Sequence, residues 1–158
     1  RLDEGMQSLA EVIKKTTGKD ITNYPGAGAA GGMGGGLLAF FNAELKPGTD
    51  FLLKAIDFSE KIKGADLIIT GEGKADRQTA MGKVPYGILK EAQKEHIPVI
   101  VLAGNIENLP ELNKAGFKGI FSIAPGPITL EKAMEPEFAK ENITRLVSQL
   151  YSVITSFG

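Results

Sequence analysis

The chain has 158 residues, of which 42% are hydrophobic and 23% are charged, and its net charge is −1. These values are typical of a globular domain with a hydrophobic core and exclude wholesale disorder. The near-neutral charge offers no basic excess for a nucleic-acid backbone, and the absence of cysteine excludes disulfides, thiolate catalysis and cysteine-ligated zinc. This composition fits a cytoplasmic protein.

The N-terminal third of the sequence is predicted to be helical. Apolar residues recur at helical spacing over residues 2–13, and Gly18 is expected to end this first helix. A second helix is predicted to begin inside a glycine-rich stretch and to run through Phe41, until residues 46–48 break it. Because the chain opens on Arg1 and runs directly into a helix, we expect it to be a piece of a longer protein.

A third helix is predicted over residues 50–63. Thr49 precedes it and has the side-chain oxygen that an N-cap position favours. Leu52, Ile56 and Ile62 are the residues that this helix is expected to bury. Beyond it the pattern changes to short apolar strands that alternate with helices.

The C-terminal two thirds of the sequence predict an α/β fold. Strands are predicted over residues 66–70, 97–103 and 119–124, and helices over residues 85–95, 109–115 and about 138–157. The last helix is expected to bury Ile143, Leu146, Val147, Leu150, Val153, Ile154 and Phe157. Strands alternating with helices indicate a parallel, Rossmann-like sheet with helices on both faces. In such sheets ligands bind beyond the carboxyl ends of the strands.

Residues 26–36 contain seven glycines, which suggest two familiar motifs. Gly26, Gly28 and Gly31 match the G-x-G-x-x-G pattern of dinucleotide-binding loops, but a polar segment stands where the preceding strand is required. Gly28, Gly32 and Gly36 match the G-x-x-x-G pattern of membrane helices, but too few large apolar residues surround them for a span. The remaining interpretations are close packing of the backbone and close approach of a ligand.

The most chemically dense segment is residues 70–83, which follow the first predicted strand. It carries two carboxylates, Glu72 and Asp76, and cations that include Lys83. Glycines on either side of Glu72 leave backbone N–H groups accessible, so the set suits phosphoryl transfer. The segment is not a P-loop, because the required glycine is replaced by Arg77. The alternative is a solvated polar loop whose charges pair with one another.

Three segments together resemble the bacterial glycerate kinase family. The first is PGAGAAGGMGGGLLAFF at residues 25–41, and the last is PVIVLAG at residues 98–104. Between them, residues 70–83 carry the pattern T-G-E-G-x-x-D-x-Q-T-x-x-G-K, which is much more specific than the glycines alone. The order and spacing match from Ile21 to the C-terminus.

The resemblance implies a two-domain α/β enzyme of the cytoplasm that phosphorylates D-glycerate with ATP and Mg²⁺. It also implies that the chain is only the C-terminal part of that enzyme. Residues 1–18 would then be a helix from the end of the other, absent domain or from the connection between domains. Residues 19–158 would form the C-terminal part of the Rossmann-like domain, and this fragment alone is not expected to be active.

The resemblance marks the segment at residues 70–83, and its chemistry suggests the roles. Asp76, Glu72 and Lys83 are the candidate catalytic residues, and Asp76 and Glu72 are also the candidate Mg²⁺ ligands. The candidate residues for binding substrate or nucleotide are Gly71, Gly73, Arg77, Gln78, Thr79, Gly28, Gly31 and Gly32. The expected partners are ATP, D-glycerate, the N-terminal part of the same polypeptide and a second copy in a homodimer, with neither nucleic acid nor membrane. The rival function is a non-catalytic α/β domain that binds a nucleotide or small acid.

Overall fold

The structure is a computed structural model in which residues 2–156 are described. The chain divides into two compact units, Arg1–Pro47 and Gly48–Gly158. The predicted assignment of residues 1–18 and 19–158 to separate parts of a longer protein stays a prediction. No helix within residues 2–156 is long and apolar enough to cross a membrane.

The first unit consists of two helices, α1 (Leu2–Thr17) and α2 (Ala29–Phe41), that pack against each other. Gly18 ends α1 as predicted, with φ at 75° and its N–H donating to the carbonyl of Lys14. The buried core of this unit consists of Ala10, Ile13, Ile21 and Ala39.

Helix α2 ends at Phe41, before the predicted break at residues 46–48. Asn42 and Lys19 fix this end. Asn42 takes the left-handed conformation that follows many helices, and its N–H donates to the carbonyl of Leu37. The ammonium of Lys19 donates to the Ala39 carbonyl at 2.9 Å and to the Asn42 side-chain oxygen at 2.7 Å. A cation at this end of a helix also interacts favourably with the helix dipole.

The glycines of α2 let the preceding loop lie directly on the helix. A Cβ atom at Gly34 would lie 2.6 Å from the carbonyl oxygen of Gly26, which leaves no room for a side chain. Gly35 donates its N–H to the carbonyl of Ala27 at 2.8 Å. Close backbone packing is therefore one reason for the glycine-rich sequence. It was one of the two interpretations that the sequence left open, the other being close approach of a ligand.

The second unit alternates helices with strands. Its elements are α3 (Gly48–Ala55), α4 (Phe58–Lys61), β1 (Ile68–Ala75), a 3-10 helix (Thr79–Met81), α5 (Val84–Lys94), β2 (Val99–Ile106), α6 (Leu109–Ala115), β3 (Gly119–Ser122), α7 (Leu130–Ala133) and α8 (Pro136–Thr155). The strands form one parallel sheet in the order β1-β2-β3, which confirms the α/β class. The predicted arrangement of helices on both faces stays a prediction.

The core of the second unit lies where α5 and α6 meet the sheet. Its buried residues are Ile62, Ala75, Leu89, Ala92, Ile97, Val99, Val101, Ala103, Leu112 and Phe117. Helix α5 follows β1 after the 3-10 helix, α6 follows β2 after two residues, and each returns the chain to the start of the next strand. The carboxyl ends of β1 and β2 consequently meet at one edge of the sheet.

The first two strands extend further than their sequences predicted. Gly71 and Gly104 were expected to end them, but the ladder continues until Ala75 pairs with Ile106. It can continue because Gly104 has no side chain: a Cβ atom there would lie 2.8 Å from the carbonyl oxygen of Gly73. The glycines at these positions permit close strand packing and do not terminate the strands.

Two predictions about buried helix faces are wrong in part. The predicted helix over residues 50–63 is two helices, because Asp57 takes a left-handed conformation between them, and the first begins at Gly48, before Thr49. Ile62 is buried as predicted, but Leu52 and Ile56 are exposed.

The last helix, α8, also exposes residues that were expected to be buried. Ile143, Val153 and Ile154 are exposed although they lie at core-facing spacing, whereas Leu146, Val147 and Leu150 are half-buried. Phe157 lies outside the described residues. An amphipathic pattern identifies a face that can be buried, but burial also requires a neighbour to cover it.

Replacing Gly34 with alanine should destabilise the protein, and replacing Gly36 should not. The new Cβ of Gly34→Ala meets the Gly26 carbonyl, and overpacking of this kind costs about 1 to 3 kcal/mol. Gly36 has open space around its Cα, so Gly36→Ala gains up to about 1 kcal/mol of helix propensity. Thermal unfolding of both variants in the full-length protein checks this, and equal midpoints would contradict the close packing at Gly34.

Candidate active site

The candidate site lies at the carboxyl end of β1 and begins with Glu72. Side chains alternate along a strand, so Glu72 follows Ile68 and Thr70 on one face. Its neighbour in the ladder is Ala103, a member of the buried core. As a result the Glu72 side chain is only 13% exposed, and its carboxylate is held at the margin of the core.

A tight turn follows β1 and orients the second carboxylate. The N–H of Thr79 donates to the backbone carbonyl of Asp76 at 3.0 Å, which closes the turn. The N–H of Gln78 donates to Asp76 Oδ1 at 2.9 Å, an arrangement that aspartate commonly forms with the residue two positions later. Asp76 Oδ2 receives no hydrogen bond within the described part of the chain.

The hydroxyl of Thr79 joins the two carboxylate positions. It accepts a hydrogen bond from the N–H of Asp76 at 3.0 Å and donates its proton to Glu72 Oε1. Thr79 is completely buried. One oxygen atom thereby connects the end of β1 with the turn.

Lys83 supplies a positive charge to both carboxylates. Its Nζ lies 3.2 Å from Asp76 Oδ1 and 3.9 Å from Glu72 Oε2. Lys83 stands immediately before α5, so the start of that helix fixes its backbone next to the turn. The structure therefore brings together all three predicted catalytic residues.

Opposing effects act on the pKa of Asp76, and the net result is a decrease. Burial raises this pKa, but the hydrogen bond from Lys83, the N–H of Gln78, the Lys83 charge and the N–H of Thr79 together outweigh burial. Asp76 is consequently ionised at neutral pH and can accept hydrogen bonds or bind a cation.

The remaining predicted residues of this segment lie around the network. Gly71 and Gly73 belong to β1, an edge strand of the sheet, and not to a loop. Arg77 and Gln78 are exposed, and Arg77 forms no ion pair with any other described residue. The prediction that these residues bind substrate or nucleotide stays a prediction.

The three predicted glycines of the first unit lie in and near a cavity of that unit. Gly28 and Gly32 contribute to its lining, and its volume is about 230 Å³. Gly31 and Gly32 both have positive φ, at 68° and 91°, and Ala30 shares this left-handed conformation with φ at 50°. Gly28 has open space around its Cα. Their predicted role in ligand binding stays a prediction.

The oxygen donors fit a magnesium ion that is completed by other ligands. Among residues 2–156 no group of three or more histidine, aspartate and glutamate side chains is placed to hold a metal by itself. Mg²⁺ is typically bound by one or two carboxylates, together with water and substrate phosphates. Glu72 and Asp76 provide such a pair.

Two side-chain contacts of this segment were not predicted from the sequence. Glu107 forms an ion pair with Lys74 at 2.8 Å, so Lys74 already has an acidic partner within the chain. Thr79 was assigned to binding, whereas its contacts are with the site's own residues. Its position three residues after an aspartate is typical of a side-chain-capped turn and could have indicated this role.

Replacing Lys83 with methionine should raise the pKa of Asp76, because the hydrogen bond and the charge of the ammonium are both lost. The lowered native pKa makes ionised Asp76 stabilising above its unfolded-state pKa, and this stability disappears as the pH falls through the native value. In Lys83→Met the native pKa lies closer to the unfolded-state value, so this contribution should be smaller and its loss should be complete at a higher pH. Carbon-13 NMR titration of the carboxyl groups measures the change.

Lys90→Met is the matched control, since Lys90 pairs with Asp50 at 3.3 Å instead. It should leave the titration of Asp76 unchanged. An unchanged Asp76 pKa in Lys83→Met would show that the two side chains are not paired in solution.

The sequence and the fold were compared with those of known proteins. The sequence model described as "Glycerate kinase family" matches residues 1–155. A glycerate kinase of Bacillus cereus is 40% identical over 153 residues, which cover 96% of this chain and 40% of that protein. A glycerate 2-kinase of Escherichia coli is 41% identical over 145 residues, which cover 91% of this chain and 38% of that protein.

A solved structure has the same fold over nearly the whole chain. It is described as "putative glycerate kinase 2" from Salmonella typhimurium LT2, with a TM-score of 0.69 and 32% sequence identity. The match covers 94% of this chain but only 37% of that one. The chain thus spans about two fifths of the length of these relatives, and it belongs to the glycerate kinase family.

Proposed function

We propose that the longer protein of which this chain forms part transfers the γ-phosphoryl group of ATP to a hydroxyl group of D-glycerate. Membership of a kinase family supports ATP as the phosphoryl donor, and the similarity to glycerate kinases of other bacteria supports glycerate as the acceptor. The observation that carries the proposal is the arrangement of Glu72 and Asp76 around Lys83 at the carboxyl end of β1. Ligands of parallel α/β sheets bind at this edge.

Glu72 is the proposed ligand of Mg²⁺, and Asp76 is a further oxygen donor beside it. Carboxylates that bind metals are usually oriented by a hydrogen bond from a second side chain, and Thr79 provides one to Glu72. When bound, the ion neutralises charge that develops on the transferring phosphoryl group. Lys83 balances the negative charge of the two carboxylates before any ligand arrives.

Asp76 is the proposed acceptor of the proton from the glycerate hydroxyl. Its Oδ1 is occupied by Gln78 and Lys83, which leaves Oδ2 to face a substrate. The substrate oxygen forms a bond to the γ-phosphorus as the bond from that phosphorus to the ADP oxygen breaks, and the hydroxyl proton passes to Oδ2. The lowered pKa of Asp76 keeps the carboxylate in the form that can accept this proton.

The other predicted binding residues are proposed to hold the charged ends of the substrates. Arg77 is exposed and without an ion pair among the described residues, so it can reach a carboxylate or a phosphate. Gly71, Gly73 and Gln78 of the same segment are proposed to share this role. Gly28 and Gly31 are proposed to offer backbone N–H groups, and Gly32, whose N–H donates to the Gly28 carbonyl at 3.2 Å, to permit close approach of the ligand.

The rest of the polypeptide is the proposed structural partner of this chain. Apolar side chains that are exposed in this structure include Met33, Phe40, Phe41 and Tyr151. Exposed apolar residues in such numbers are typical of surfaces that another segment covers. A two-domain enzyme with a Rossmann-like domain accounts for them, whereas its cytoplasmic location and a homodimer stay predictions.

A coupled assay of the full-length protein with ATP and D-glycerate tests this function. We expect ADP to form in equal amount to a phosphoglycerate, which NMR or mass spectrometry identifies as the 2- or the 3-phosphate. A non-catalytic binding domain would instead bind ATP or glycerate without releasing ADP. That result would overturn the proposed function.

Asp76→Asn should lower kcat about 100-fold or more, which is the scale of losing a positioned proton acceptor. Asp66→Asn is the matched control, because Asp66 is an exposed aspartate just before the opposite end of β1. Steady-state kinetics of both variants, with thermal unfolding to verify the fold, provide the measurement. Turnover of Asp76→Asn within a few-fold of the wild type would remove Asp76 from the mechanism.

A further inference from the structure

Thr79 is shielded from solvent, yet its hydroxyl contacts the groups on which the site depends. The side chain is completely buried. It forms hydrogen bonds to the Glu72 carboxylate and to the N–H of Asp76. Its proximity to the carboxylates therefore needs an explanation other than direct binding.

We propose that Thr79 is a positioning residue that fixes the Glu72 carboxylate relative to Asp76, so that both can engage one metal ion and one substrate. This inference rests on the proposed function for the identity of the ligands. It assigns Thr79 an indirect role in place of contact with substrate or nucleotide.

The hydrogen-bonding capacity of a hydroxyl explains why threonine is suited to this position. A hydroxyl has one proton to donate and lone pairs to accept. The Thr79 proton is directed to Glu72 Oε1, and its oxygen accepts from the backbone of the turn. The orientation of the carboxylate is thus coupled to the conformation of the turn that carries Asp76.

Other contacts do not replace this connection. Lys83 Nζ lies 3.9 Å from Glu72 Oε2, which is beyond hydrogen-bonding distance. Within the described residues, Thr79 is the only hydrogen-bond donor to the Glu72 carboxylate. Without the hydroxyl, Glu72 would keep its charge interaction with Lys83 but lose its fixed direction, and the N–H of Asp76 would lose its acceptor.

Thr79→Val removes the hydroxyl and retains the branched shape, whereas Thr79→Ser retains the hydroxyl and removes the methyl group. Binding of Mn²⁺, used as a paramagnetic probe for the Mg²⁺ site, is measured by electron paramagnetic resonance on the full-length protein. We expect Thr79→Val to weaken Mn²⁺ binding and lower kcat by about 10- to 100-fold, as loss of a residue that orients a metal ligand does. Thr79→Ser should remain within a few-fold of the wild type.

Thr70→Val is the matched control. Thr70 is a buried threonine on the same face of β1 as Glu72, and it forms no hydrogen bond to either carboxylate. It should leave Mn²⁺ binding unchanged. Wild-type Mn²⁺ affinity and kcat in Thr79→Val would overturn the inference. Equal losses in Thr79→Ser and Thr79→Val would also overturn it, since they would show that keeping the hydroxyl does not preserve the site.

If thermal unfolding shows that Thr79→Val does not fold, Thr79→Cys replaces it. A thiol is a weak donor, so Mn²⁺ affinity should lie below that of Thr79→Ser, and wild-type affinity would contradict the proposal. The unmodified protein is assayed for D-glycerate turnover alongside. Absence of turnover overturns the proposed function, while the Mn²⁺ measurements still decide the role of Thr79.

Discussion

The candidate site depends on the β1–β2 ladder continuing past its glycines. Pairing as far as Ala75 and Ile106 keeps Glu72 inside the strand, on the face that carries the core. A strand that ended at Gly71 would place Glu72 in a solvated loop, where a carboxylate is free to rotate. Because Gly104 lets the Gly73 carbonyl approach, backbone packing between β1 and β2 determines where the Glu72 carboxylate lies.

The turn after β1 brings the charged side chains of the site into a compact group. Asp76, Thr79 and Lys83 lie within eight residues, and the turn with its short 3-10 helix brings them back toward Glu72. Exposed ion pairs contribute little to stability, as is expected for the pair between Lys74 and Glu107. The pair of Lys83 and Asp76 differs, since it is partly buried and further hydrogen bonds fix its geometry.

The sequence predicted the alternation of strands and helices well, because local patterns determine it. The helix over residues 109–115 was predicted to the residue, since Gly116 ends it with a positive φ. The predicted strand ends were wrong because a glycine in a sequence suggests that a strand ends there. Gly104 is instead required by its contact with the neighbouring strand. Burial of Ile143 and Val153 was wrong for a related reason: periodicity reveals an apolar face but not the neighbour that covers it.

The contrast between local patterns and contacts with other elements also applies to the candidate site. Glu72, Asp76 and Lys83 could be selected from residue types and spacing alone, and the structure brings them together. The burial of Thr79 could not be predicted, because it follows from the packing of α5 and α6 around the short helix. A polar residue beside two carboxylates suggests a ligand contact until its exposure is known.

The glycine-rich stretch shows that one composition can serve separate purposes. Gly34 is required by steric contact and Gly32 by its positive φ, so neither needs a ligand to explain it. Gly28 has neither constraint: its φ is −77° and no atom lies near its missing side chain. Open space beside a backbone N–H is what close approach of an anion requires. Among the three proposed binding glycines of this stretch, Gly28 is therefore the one whose identity the fold alone does not explain.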